Sequence, residues 1–229
     1  MIFERFLGRD FRRRRLLAKA PPGPLRDYLA TPFPAPETPV GSVAYLALDL
    51  ETTGGDAEHD EIVSLGWVCI DGERIDLGSV RHRVVQLCGA MSSASAVIHR
   101  ITDDQCAGGG SLASALDELL AALRGRVLIA HHAPTELGFI DQACARIYGG
   151  RILIPAVDTL QIAMDKEQRQ GRPIQRHTLR LHALRQRYKL PRYRAHNALS
   201  DALATAELFL AQQAEAAAGT TLKNWLFRG

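Results

Sequence analysis

Three short segments of this chain hold side chains whose types and spacing suit chemistry. The first is Asp49-Leu50-Glu51. On a strand, residues i and i+2 point to the same face. The two carboxylates would therefore project together from the end of the apolar run Tyr45-Leu46-Ala47-Leu48. Like charges that close repel unless a cation sits between them. An oxygen-only ligand set favours a hard ion such as Mg²⁺ or Mn²⁺. Taken alone, such a pair is also an ordinary solvated strand end, because short motifs are weak signals. The second segment runs from Leu128 through His131 and His132 to Glu136, a buried strand leading to a carboxylate at a helix start. The third is His196-Asn197-Ala198-Leu199-Ser200-Asp201, with the His just before a helix and the Asp within its first turns. Each has a bland reading as well. Loop histidines are often satisfied locally, and acids favour helix N-termini through the dipole.

The elements that would position these groups follow from hydrophobic patterning. Val43 to Leu50 is apolar almost throughout, as a central strand requires. Glu61–Ile70 and Arg74–Val85 read as two further strands joined by a tight turn at Asp71-Gly72. Ser111–Arg124 reads as a helix, with Leu112, Leu116, Leu119, Leu120 and Leu123 on one face and Gly125 as its stop. Val127–Ala130 is a short buried strand, and Glu136–Tyr148 a helix ended by Gly149-Gly150. Ile152–Val157 is a candidate last strand, followed by helices over 158–167, 179–188 and 198–218. Three strands on short turns and then alternating helices and strands imply an α/β fold, a mixed sheet flanked by helices. Ligands in such sheets sit at the carboxyl ends of the central strands, where Asp49 and Glu51 fall.

Charge is unevenly distributed although the net is only +3. Residues 41–80 hold nine acids against one Arg, whereas residues 166–194 hold ten Lys/Arg against one Glu. That pairing suits a protein that gathers cations and grips a polyanion. Residues 1–40 carry Arg12 to Arg15 in a row and then seven prolines from Pro21 to Pro39. They read as a short basic helix followed by an extended strap, pinned by Phe3, Phe6, Leu16, Leu17, Tyr28, Leu29 and Phe33. The expected division is an extension over 1–40, a domain over 41–218 and a tail over 219–229. Apolar residues make up 46% of the chain, ample for a core. No apolar run reaches the roughly 18 residues that span a bilayer, and Met1–Ala20 lacks the apolar stretch of a signal peptide. Cys69, Cys88, Cys106 and Cys144 are scattered, the usage of a reducing compartment. A cytoplasmic protein is expected.

In order and in kind, these segments resemble the DEDDh group of 3′–5′ exonucleases, the family of the proofreading epsilon subunit of bacterial replicative polymerases. LDLETTG resembles that family's first motif, and HNALSDA its third, HxAxxD. Val97 to Thr102 is similar to its IHGIT loop, and Val157 to Leu160 to its DT-L segment. AHHAPTE departs from the family's second motif: Glu136 stands where an Asp is usual, and His132 where an Asn is. The resemblance covers about residues 43–212. It implies an RNase H-like five-stranded mixed sheet and hydrolysis of phosphodiester bonds with two divalent cations, Mg²⁺ or Mn²⁺. Asp49 would bridge both ions, Glu51 and Asp201 would complete the first site, and Glu136 would hold the outer shell or the second site. His196 would take the proton from the attacking water. Leu50, Thr52, Thr53, His99 and His132 would line the terminal nucleotide. Arg192, Arg194 and the other cations from Arg169 onward would hold strand phosphates. The implied partner is a single-stranded or fraying nucleic-acid 3′ end. A polymerase or other replication or repair protein is a possible further partner, for which the apolar tail Thr221–Gly229 offers a docking segment, although such a tail more often packs back on its own domain. DNA and RNA both remain open as substrates, as does a non-catalytic adaptor of the same fold.

Overall fold

In the computed structural model, residues 8–87, 108–193 and 197–227 are described. The sheet has five strands: β1 (Ala44–Thr52), β2 (Ile62–Asp71), β3 (Arg74–Val84), β4 (Val127–Ala130) and β5 (Ala156–Asp158), in the order β3-β2-β1-β4-β5. β1 to β3 form an antiparallel meander, and β4 and β5 add in parallel on the far side of β1. The mixed five-stranded α/β sheet expected from the sequence is therefore present. Gly72 adopts a φ of 64° at the β2–β3 turn, the left-handed geometry a two-residue hairpin needs.

The helices are α1 (Arg9–Lys19), α2 (Pro24–Ala30), α3 (Leu112–Leu123), α4 (Ala133–Tyr148), α5 (Thr159–Arg169), α6 (Leu181–Arg187), α7 (Ala198–Ala214) and α8 (Leu222–Trp225). β1 alternates between two cores. Leu46, Leu48 and Leu50 join the leucines of α3 and the apolar side of α4. Tyr45 and Ala47 pack on the opposite face with Ala206 and Phe209 of α7. Asp49 and Glu51 continue the odd-numbered face, so the strand's period of two delivers both carboxylates to the α7 side.

Three expectations need correction. The segment after Pro21 is not an extended strap throughout: Pro24 opens α2, since a proline at the first helical position loses no needed hydrogen bond. Its Leu25, Tyr28 and Leu29 are buried in the main core. α4 starts at Ala133 rather than Glu136, because Pro134 fits a first turn for the same reason. The last strand is only Ala156–Asp158 and not 152–157; Pro155, lacking an N–H, precedes it. Phe3 and Phe6 lie outside the described residues. No helix among the described residues is long and apolar enough to cross a membrane.

Candidate active site

Asp49, Glu51 and Asp201 each place a carboxylate oxygen within 4.8 Å of the others. β1 supplies the first two from its last turn of pleat, and α7 supplies the third from its first helical turn. The meeting depends on how α7 begins. Asn197 caps it, accepting the Ser200 N–H at 3.1 Å, and the Asp201 N–H returns to the Asn197 carbonyl at 2.9 Å. The helix start then lies directly on the sheet at Gly66, the residue of β2 paired with Asp49. A β-carbon at Gly66 would stand 2.2 Å from the Leu199 nitrogen and 2.3 Å from the Ala198 carbonyl carbon. Only a glycine admits that approach, and it is what lets Asp201 reach Asp49. A lone glycine within a strand pattern signals close backbone approach, so this residue was detectable in the sequence.

Glu136 approaches from α4. It is buried, and its Oε2 has no hydrogen-bond partner among the described residues. Burial, with Asp158 nearby, pushes its carboxyl up to about 8. Burial also raises Asp49 well above the usual carboxylate range, and the charges of Glu136, Asp201 and Glu51 raise it further. Asp49 thus has three other acids from β1, α4 and α7 around it, an arrangement suited to a cation. An orphaned buried carboxylate oxygen beside an oxygen-only cluster fits a hard divalent ion.

Asp158, at the end of β5, fixes the geometry around Glu136. Its carboxylate accepts the His132 N–H at 3.0 Å, the Ala133 N–H at 3.1 Å and the Leu160 N–H at 2.9 Å, so it caps α4 and α5 together. His132 has a φ of 84° and begins α4 in the left-handed region, a conformation that Asn and His tolerate better than most residues. Its ring lies against Thr135 at 2.9 Å. His131 contacts Thr159 Oγ1 at 2.8 Å and the Leu179 carbonyl at 3.1 Å, and burial pushes it down to about 4, which keeps it neutral.

A cleft of about 670 Å³ opens from Asp49 and Asp201 along α6; His131, Arg180, His182, Arg192 and Tyr193 also line it. Arg180 and Arg192 are exposed in it. Three other cations of the basic stretch are committed elsewhere. Arg172 and Arg187 both pair with Glu167, at 2.6 and 2.8 Å. Arg185 is buried against Glu207 at 2.6 Å. Leu50 lies on the opposite face of β1, in the core, and is not part of the cleft wall. The Thr52 hydroxyl donates to Gly54, and the Thr53 hydroxyl binds Asp60 and the Glu61 N–H, which shapes the loop after β1. His99, Arg194 and His196 lie outside the described residues.

Comparison with known proteins agrees with this geometry. Residues 46–209 match the RNase_T model, described as exonuclease. The PolC-type DNA polymerase III of Thermotoga maritima is 29% identical over 170 residues, 74% of this chain and 12% of that protein. The DNA polymerase III subunit epsilon-like protein of Rhodobacter capsulatus is 31% identical over 176 residues, 76% of this chain and 24% of that one. The chain thus spans between an eighth and a quarter of these relatives' lengths. The nuclease domain of 3'hExo, a DEDDh family member solved bound to rAMP, superposes with a TM-score of 0.61 at 14% identity, covering 73% of this chain and 90% of that one. With its fold RNase H-like and its model match extending across most of its length, this chain belongs to the exonuclease family.

Proposed function

We propose that the chain is a 3′–5′ exonuclease that removes nucleotides from DNA ends with two divalent cations, Mg²⁺ or Mn²⁺. The observation that carries this reading is the convergence of Asp49, Glu51 and Asp201 within 4.8 Å at the carboxyl end of a central strand, in a chain of the exonuclease family. Asp49, Glu51 and Asp201 would hold one ion, and Asp49 with Glu136 would hold the other. A bound cation pair supplies an activated water and a stabilised leaving oxygen. His196 would accept a proton from the attacking water, a role open to an imidazole. Thr52, Thr53, His99 and His132 would contact the terminal nucleotide. Arg180, Arg192 and Arg194 neutralise phosphates of the strand, a contact independent of sequence.

DNA is favoured over RNA because the relatives that match the chain are DNA polymerase III proteins. The same kinship supports a cytoplasmic setting and a replication or repair partner. The test is digestion of 5′-labelled single-stranded DNA, fraying duplex DNA and RNA, with Mg²⁺, Mn²⁺ or chelator. A ladder shortening from the 3′ end of DNA, absent in chelator, is expected. Preference for RNA would reassign the substrate, and binding of the strands without cleavage under any ion would make the chain a non-catalytic adaptor.

A further inference from the structure

We propose that Tyr193 is a stacking platform for a nucleobase of the bound strand, built into the wall of the cleft that holds Asp49 and Asp201. The inference rests on the nuclease reading and adds a base-recognition subsite to it. Tyr193 is 44% exposed, among the few large apolar side chains left open to solvent in the described residues. Exposure usually goes with freedom, but this ring is fixed. Its hydroxyl donates to Glu207 Oε1 at 2.7 Å, and the Arg185 guanidinium lies 4.7 Å from the ring centroid. Arg185 is itself immobilised: it donates to the Ala204 carbonyl at 2.6 Å, the Pro191 carbonyl at 2.8 Å and Glu207 Oε2 at 2.6 Å. With three internal hydrogen bonds and a side chain only 4% exposed, this guanidinium is held away from strand phosphates. What it does is back an aromatic ring.

The ring's surroundings name its ligand. Tyr193 lines the same cleft as Arg180 and Arg192, the exposed cations, and Leu190, an apolar neighbour. A fixed aromatic face beside cations, opening toward a carboxylate cluster, matches a single strand, which offers unstacked bases and a charged backbone together. Every base has a π-face, so the platform tolerates any sequence. In a duplex the bases are already stacked, and the platform therefore selects single strands.

The test uses the full chain and 5′-labelled single-stranded DNA of one sequence, intact or with a single abasic residue moved stepwise inward from the 3′ end. Tyr193→Ala should raise KM on the intact strand by about 5- to 150-fold, the range that base–aromatic stacking energies correspond to. At one abasic position the wild type should lose the same factor and Tyr193→Ala should lose nothing more. Tyr193→Phe, which keeps the ring, should recover most of the loss, and the half-saturating Mn²⁺ should not move. An alanine effect that is the same at every abasic position overturns the proposal, as does a Phe variant as impaired as the Ala one. If the wild type cleaves none of these strands, the nuclease reading fails, and anisotropy of the same strands, scored by the same coupling, decides the platform alone.

Discussion

At the scale of single residues, Glu136 departs furthest from what a folded chain tolerates. One carboxylate oxygen bonds its own backbone N–H, and the other is buried without a partner among the described residues. A helix-capping acid would sit in water. The described residues offer little to offset its desolvation, which is what the proposed role of Glu136 at a cation site requires. Its folded carboxyl titrates at about 8 against an ordinary 4.5, so the metal-free native state binds more protons than the unfolded chain between those limits. Stability in chelator is therefore highest below about 4.5 as far as this group goes, falls as pH rises and levels off above about 8. The interval is worth on the order of 5 kcal/mol as an upper bound. Melting curves in chelator across this range should show the slope, and Glu136→Gln should flatten it. With Mn²⁺ as titrant, Glu136→Ala should lose most activity and shift the curve, while Glu136→Asp retains part through an intervening water. Superimposable Mn²⁺ curves for wild type and Glu136→Ala would make Glu136 a structural residue.

At the scale of elements, the site exists because α7 rests on β2 without a side chain between them. Gly66→Ala places a carbon 2.2 Å from the backbone of Leu199, so the helix start must retreat. A retreat of roughly 1 Å is several times the tolerance of about 0.2 Å that metal ligation allows. Half-saturating Mn²⁺ should rise at least about tenfold, beyond the 1–3 kcal/mol typical of overpacking on stability. A titration unchanged at a temperature where the variant is folded would mean that Asp201 does not depend on this contact. The same comparison explains what could be read in advance. The meander, α3 and the stop of α4 were legible because their signals are local: Asp71-Gly72, the leucine period, and Gly149 with a φ of 68°. The DxE pair was legible because the strand period places it, and Asp201 through the resemblance of HNALSDA to a family motif. The short β5, the double cap by Asp158 and the burial of Arg185 were not, since each is decided by a partner distant in sequence. Charge counting could not separate Arg180 and Arg192 in the cleft from Arg172 and Arg187, which Glu167 neutralises.

At the scale of the whole molecule, the C-terminal segment is sewn to the stretch before β1 and to β5. Leu222 and Lys223 donate their N–H groups to Thr38 and Pro36 at 2.9 and 2.7 Å, and Pro39 bridges Thr221. Leu226 bridges Val157, and the Phe227 N–H bonds Ala156 at 2.7 Å, which covers the outer edge of β5. Arg9 of α1 then donates to the Phe227 carbonyl at 2.6 Å. Leu222 and Leu226 are buried with Phe209 in the α7 core, where Trp225 meets Phe209 edge-on at 5.7 Å. The tail therefore packs on the domain, and its two leucines are each worth about 1.5–3 kcal/mol. Ending the chain after Ala218 should lower the melting temperature by on the order of 10 °C for a chain of this size. A second effect should follow from what the tail covers. β5 has three residues, paired with β4 on one side, and its last residue is the Asp158 that caps α4 and aims Glu136. Releasing the free edge should loosen that cap, so the truncated chain should also need more Mn²⁺ for half-maximal rate, even when assayed well below its melting point. A tail that serves only to dock a partner would leave both quantities within error of the full chain, and that result would return residues 219–229 to the role of an interaction segment.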